Sequence, residues 1–181
     1  MNITVHQKEF EPMISYDQIQ KRIRLIGVQI DVDYEDAHPV FIGVLNGCFM
    51  FMADLMKEVH IPCDISFVKL SSYSKGTQRG SLKELMALEY DLKGRDVVVV
   101  EDIVDSGNSL KHTLDAIATH QPKSVSVATL LYKPEAVQYE FDNIAYVGFE
   151  IGNEFVVGYG LDYNGLGRNL KDVYQEVQVE K

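Results

Sequence analysis

The stretch Val97-Val-Val-Val-Glu-Asp-Ile-Val-Asp-Ser-Gly-Asn-Ser-Leu110 changes character partway along. Its first four residues are apolar and β-branched, as in a strand buried on both faces. Two adjacent carboxylates follow, Glu101 and Asp102, with a third at Asp105. Ser106, Gly107, Asn108 and Ser109 then lead into the helical spacing Leu110, Leu114 and Ile117. Small residues at a helix N-terminus leave backbone N–H groups free to cradle a phosphate, and the helix dipole favours its charge. Ser106 and Ser109 can add hydroxyl donors. Glu101 and Asp102, at the strand end, suit either ribose hydroxyls or a hydrated Mg²⁺. A helix-capping acidic cluster would be the bland alternative. Three carboxylates so close together repel one another, however, and are costly without a cation or donors to offset them.

Similar units flank this stretch. Ser15 and Gln18 have the form of a capping box, and Ile19, Ile23, Ile26 and Ile30 follow on one helical face. Pro39 precedes an apolar strand, Val40–Leu45, which the Asn46-Gly47 turn joins to a helix marked by Phe49, Met52, Met56 and Val59. Ile65–Leu70 reads as a strand and residues 71–80 (SSYSKGTQRG) as a polar loop. The helix after Leu110 ends near Pro122, and strands follow at Val125–Leu131 and Ile144–Phe149. Apolar strands alternating with helices predict an α/β fold, a mostly parallel twisted sheet flanked by helices. Ligands then bind at the carboxyl ends of the strands, which directs attention to loops 46–48 and 101–109.

No repeat or long polar linker divides the chain, so residues 1–181 are expected to form one domain. The 46% hydrophobic content supports a sizeable core. A net charge of −10 and a pI near 4.9 oppose binding to nucleic acid or an anionic membrane, which need clustered Lys and Arg. A small phosphorylated ligand needs no basic surface. The opening MNITVHQKEF lacks a basic stretch followed by an apolar one, giving no expectation of a signal peptide. No apolar run approaches the ~20 residues of a membrane span. Cys48 and Cys63 read as small core residues of a reducing compartment, and the five histidines are scattered. A cytoplasmic protein is expected.

The run VVVVEDIVDSGNSL closely resembles the binding signature for phosphoribosyl pyrophosphate (PRPP) of type I phosphoribosyltransferases: four apolar residues, two acids, then D-[ST]-G-x-[ST]. Competing phosphate motifs fail. There is no GxxxxGK[ST], and after Gly158-Tyr-Gly160 a tyrosine, Tyr163, replaces the later glycine of GxGxxG. From about residue 40 to about residue 170 the chain is similar to hypoxanthine-guanine phosphoribosyltransferases. That resemblance implies the type I fold with a small hood formed by the terminal segments, Mg²⁺ dependence, and a homodimer or homotetramer.

It also implies roles. Glu101, Asp102, Ser106, Gly107, Asn108 and Ser109 would hold the ribose and phosphate of PRPP. Leu45-Asn46-Gly47 matches the turn that binds pyrophosphate, often through a non-proline cis peptide, and Arg168 would assist. Relatives usually carry Lys or Arg where this chain has Asn46, so contact there would rest on backbone N–H groups. Ser72 and Tyr73 match a mobile loop that closes over the reacting centre. Lys133 would donate to O6 of the purine, Phe155 would stack on the base, and the Val156 backbone would pair with its edge. Asp162 is expected beside a second Mg²⁺ and pyrophosphate and, through its backbone, at the purine base, with Glu101 and Asp102 as the other metal-side carboxylates. Without the family, Lys133 reads as surface charge and Phe155–Tyr163 as a strand and turn rich in β-formers.

The implied reaction joins hypoxanthine or guanine to PRPP, giving IMP or GMP and pyrophosphate, with Asp105 as base at N7. A different base, or a PRPP-sensing regulator of RNA or DNA with the same fold, are the alternatives.

Overall fold

All four valines of Val97–Val100 are fully buried, in a strand that runs from Asp96 to Val104. The computed structural model describes residues 1–72, 82–84 and 90–177. In chain order the elements are β1 (Ile3–Val5), β2 (Lys8–Ile14), α1 (Tyr16–Asp33), β3 (Val40–Leu45), α2 (Phe49–Glu58), β4 (Asp64–Ser72) and β5 (Leu82–Glu84). There follow β6 (Asp96–Val104), α3 (Asn108–Ala118), β7 (Ser124–Tyr132), β8 (Ile144–Glu150), β9 (Val156–Val157) and β10 (Val173–Glu176).

The strand period of two sorts the β6 valines onto opposite faces. Val98 and Val100 pack with Ile19, Ile23, Ile26 and Ile30 of α1 and with Phe51, Met52 and Leu55 of α2. Val97 and Val99 pack with Leu110 and Ile117 of α3. β3 divides in the same way, Phe41 toward α1 and α2, Val40, Ile42 and Val44 toward α3. Each such buried side chain stabilises by roughly 1.5–3 kcal/mol. Both faces are therefore apolar because both are covered. The six-stranded sheet has the order β5-β4-β3-β6-β7-β8, parallel throughout except that β5 pairs antiparallel with β4. The carboxyl ends of β3, β6 and β7 lie side by side.

The terminal segments form a separate four-stranded sheet, β1-β2-β10-β9, antiparallel throughout. This is the expected hood, with Val5, Phe10 and Val157 at its centre. Its N-terminal hairpin is not evident in the sequence, because the connection His6-Gln7 lacks the usual Gly or Asn, although His6 takes the left-handed conformation (φ 53°). Of the loop residues matched to closure, Ser72 ends β4 and Tyr73 lies outside the described residues. Among the described residues no helix is long and apolar enough to cross a membrane.

Candidate active site

Helix capping distinguishes α3 from α1. The Ser15–Gln18 capping box closes α1 as the sequence predicts, with Ser15 N–H donating to Gln18 Oε1 (3.0 Å). At α3 the N-cap is Gly107, in the left-handed region (φ 82°), and no side chain caps the helix. Apart from the Asn108 N–H, 3.5 Å from Ser106 Oγ, its first N–H groups are free of a side-chain cap at the mouth of a cavity, an arrangement suited to an anion. That cavity, about 260 Å³, is lined by Glu101–Gly107, Ser109 and Leu110. Asn108 does not line it; its side chain bonds Ser106 and Tyr139 instead.

Glu101 is buried, and its Oε1 has no hydrogen-bond partner. Burial, and then the charge of Asp102, push its carboxyl well above the ordinary carboxylate range. Asp102 is pushed up to about 6, chiefly by burial, although the Ile103 N–H (3.0 Å to Oδ1) and the Arg168 charge pull the other way. An orphaned buried oxygen beside a second strained carboxylate fits a cation held by one or two carboxylates with water and ligand oxygens completing its shell, which is how Mg²⁺ is usually held. Among the described residues no three His, Cys, Asp or Glu side chains form an all-protein cage.

Asp102 also contacts the neighbouring loop. A Cβ at Gly47 would collide with its carboxylate, and a Cβ at Gly160 would collide with the Gly47 carbonyl. The turn after β3, the end of β6 and the segment after β9 therefore interlock, and only glycine permits it. The Leu45–Asn46 peptide is cis, the form that resemblance implies for this turn. Arg168 reaches the same place: it donates to Gly160 O (2.7 Å) and pairs with Asp162 Oδ1 (2.5 Å). The other Asp162 oxygen accepts from Gly165 N–H (2.6 Å). Both carboxylate oxygens of Asp162 are thus partnered within the chain.

A second cavity, also about 260 Å³, adjoins the first. Asp102, Ile103, Asp105, Lys133, Phe155, Val156, Leu161 and Asp162 line it, so Asp102, Ile103 and Asp105 belong to both. Lys133, just beyond β7, is buried rather than the surface charge its sequence context suggests. Its Nζ pairs with Asp105 Oδ2 at 2.9 Å, while the Asp105 side chain remains 55% exposed and open to a ligand. Phe155 is exposed on the cavity side and backed by Phe10 (6.2 Å between centroids) and Tyr163 (5.5 Å, edge-on). Lys8 lies 5.2 Å from its ring centre and pairs with Glu176 (2.8 Å). The sequence reading missed Lys8 and Phe10, because nothing in an N-terminal strand announces that it packs behind a residue some 150 positions away.

An uncapped helix start beside two buried carboxylates and an aromatic-lined pocket thus meet at the carboxyl ends of parallel strands. The phosphoribosyl transferase domain matches residues 15–164, and the chain belongs to that family. It is 41% identical over 174 residues to the hypoxanthine phosphoribosyltransferase of Salmonella typhimurium, covering 94% of this chain and 97% of that protein. It is 42% identical over 170 residues to a bifunctional protein TilS/HprT of Listeria monocytogenes, covering 93% of this chain but only about a quarter (26%) of that much longer relative. A crystal structure of a hypoxanthine-guanine phosphoribosyltransferase from Bacillus anthracis superposes with a TM-score of 0.85 at 37% identity, covering 93% of this chain and 97% of that one.

Proposed function

We propose that the protein is a cytoplasmic hypoxanthine phosphoribosyltransferase of purine salvage, which also accepts guanine and releases IMP or GMP with pyrophosphate. The observation that carries this reading is the pair of abutting cavities sharing Asp102, Ile103 and Asp105. One suits the 5′-phosphate and ribose of PRPP, the other a purine, and their common wall is where C1′ and N9 would meet.

The chemistry follows from the groups in place. O6 and N7 are neighbours on one edge of a 6-oxopurine, and Lys133 Nζ and Asp105 Oδ2 are neighbours at 2.9 Å. An ammonium has only donors, so it favours a 6-oxo group over the 6-amino group of adenine. As N9 attacks C1′ and the bond to pyrophosphate breaks, Asp105 accepts the proton from N7, which keeps the base neutral. Phe155 stacks on the ring, and the Val156 backbone reads its edge. Leaving-group charge is met by Arg168 and by N–H groups of the Leu45-Asn46-Gly47 turn, Asn46 contributing no charge. Mg²⁺ held by Glu101 and Asp102, with Asp162 on the pyrophosphate side, would supply further charge neutralisation. Ser72 and Tyr73 are assigned to closure over the reacting centre, which excludes water.

The net charge of −10 weighs against a nucleic-acid-binding regulator. A homodimer or homotetramer is proposed from resemblance, and sedimentation of the purified chain tests it. The reaction is tested by incubating the protein with PRPP and hypoxanthine, with Mg²⁺ or with EDTA. IMP and pyrophosphate should form in equal amounts only with Mg²⁺; folded protein that forms neither would refute the reading.

A further inference from the structure

The segment between β7 and β8 clamps the phosphate loop from outside. Gln138 N–H donates to Ser106 O (3.1 Å), and the rings of Phe141 and Tyr139 cover Gly107 so closely that a Cβ there would sit 2.8 Å from Phe141. The two rings brace each other at 5.9 Å. From this position Tyr139 Oη donates to Asn108 Oδ1 at 2.6 Å. Asn108 in turn directs two donors at the Ser106 hydroxyl: Nδ2 at 3.0 Å and its backbone N–H at 3.5 Å.

A serine hydroxyl has two lone pairs and one proton. With Asn108 Nδ2 donating to one lone pair at 3.0 Å and the more distant backbone N–H on the same side, the proton must point away from Asn108, and Ser106 lines the phosphate cavity. We infer that Tyr139 is a positioning residue for PRPP: through Asn108 it fixes the Ser106 hydroxyl as a donor aimed at the 5′-phosphate. Asn108 acts as the relay between the two rather than as a phosphate contact, in keeping with its absence from the cavity lining. The chain of bonds runs in one direction, each donor polarising the next. The relay supplies at Ser106 an orientation that an uncapped helix start does not provide, because a free hydroxyl rotates and loses entropy when a ligand arrests it.

This inference rests on the transferase reading, and the experiment separates the two. Tyr139→Phe removes only the hydroxyl and keeps the ring against Phe141 and Gly107. It should raise KM for PRPP roughly 3- to 10-fold, the usual worth of one neutral hydrogen bond. kcat, KM for hypoxanthine and the thermal midpoint should stay within a factor or range set by repeat measurements of wild type. The decisive arm is a double-mutant cycle. In a Ser106→Ala background, Tyr139→Phe should cost nothing further, since the group it positions is gone. A merely structural tyrosine would carry its penalty into that background. Wild type unable to form nucleotide from PRPP would overturn the transferase reading. An active wild type with an unchanged PRPP KM in Tyr139→Phe, or an undiminished penalty in Ser106→Ala, would overturn the relay.

Discussion

The two halves of the site are built in opposite ways. The phosphate half is one continuous stretch, Glu101–Leu110, held by the end of β6 and the start of α3. The base half is assembled from Ile103 and Asp105, Lys133 beyond β7, and Phe155, Val156, Leu161 and Asp162 around β9, with Phe10 of the hood behind Phe155. The first takes its geometry mainly from local backbone, braced by Gln138, Tyr139 and Phe141. The second exists only when three distant parts of the chain dock. The proposed base pocket therefore depends on the fold as a whole, whereas the proposed phosphate cradle is local but for that outer brace. Asp105 joins them, lining both cavities and pairing with Lys133 in the second.

Replacing Asp105 by Asn should have the largest effect. It keeps the shape and removes the proton acceptor, so kcat should fall by ~10²–10⁴-fold. KM for PRPP should move only a few-fold. Pre-steady-state rapid quench checks this; loss of PRPP binding with an unchanged chemical step would place Asp105 in the phosphate half alone. Lys133→Met comes next. Losing one charged hydrogen bond should lower kcat/KM for hypoxanthine by roughly 10- to 100-fold, with PRPP affinity nearly unchanged, because Lys133 lines only the base cavity.

A pH profile tests the carboxylate pair. Folding raises Asp102 from its ordinary 3.8 to about 6, and Glu101 is raised as well. Acids with a raised folded-state pKa contribute stability below their unfolded pKa and lose it as pH rises through the folded value. The ligand-free protein should therefore melt several degrees higher near pH 5 than near pH 7, a span typical of 1–2 kcal/mol in a protein of this size. Mg²⁺ with PRPP should raise the melting point more at pH 7 than at pH 5. Asp102→Asn should reduce the slope of the ligand-free profile without abolishing it, since burial still raises Glu101, and calorimetry of both proteins would show whether it does.

The smallest of these effects concerns Asn46. Supplying a cation by Asn46→Lys should lower KM for pyrophosphate in the reverse reaction by about 5-fold, the worth of a partly exposed charge pair of ~1 kcal/mol. KM for the base should not change. An unchanged pyrophosphate KM would mean that Arg168 and the backbone already satisfy that charge.

The same contrast explains what the sequence could reveal. The α/β fold and the phosphate half were legible because their signals are local: valines buried on both faces, acids at a strand end, and glycine with small hydroxyls opening a helix. The cis peptide and the hood came from resemblance, not from pattern. Lys133 looks like surface charge in sequence, yet in the fold it is buried and paired with Asp105. Lys8 and Phe10 left no trace, since a hairpin turned by His6-Gln7 carries neither a Gly-Asn signal nor any sign of its aromatic partner. Tyr139 was passed over for the same reason: its hydroxyl reaches Asn108 across 31 positions.

The most direct test of a phosphate cradle joined to a 6-oxopurine pocket is a base panel. Initial rates of pyrophosphate release from PRPP and Mg²⁺ would be measured with hypoxanthine, guanine, xanthine, adenine and uracil. Hypoxanthine and guanine should be used well and adenine and uracil hardly at all, since Lys133 can only donate at position 6. Uracil or adenine as the preferred base would contradict the assignment of Lys133, Phe155 and Val156 to a 6-oxopurine.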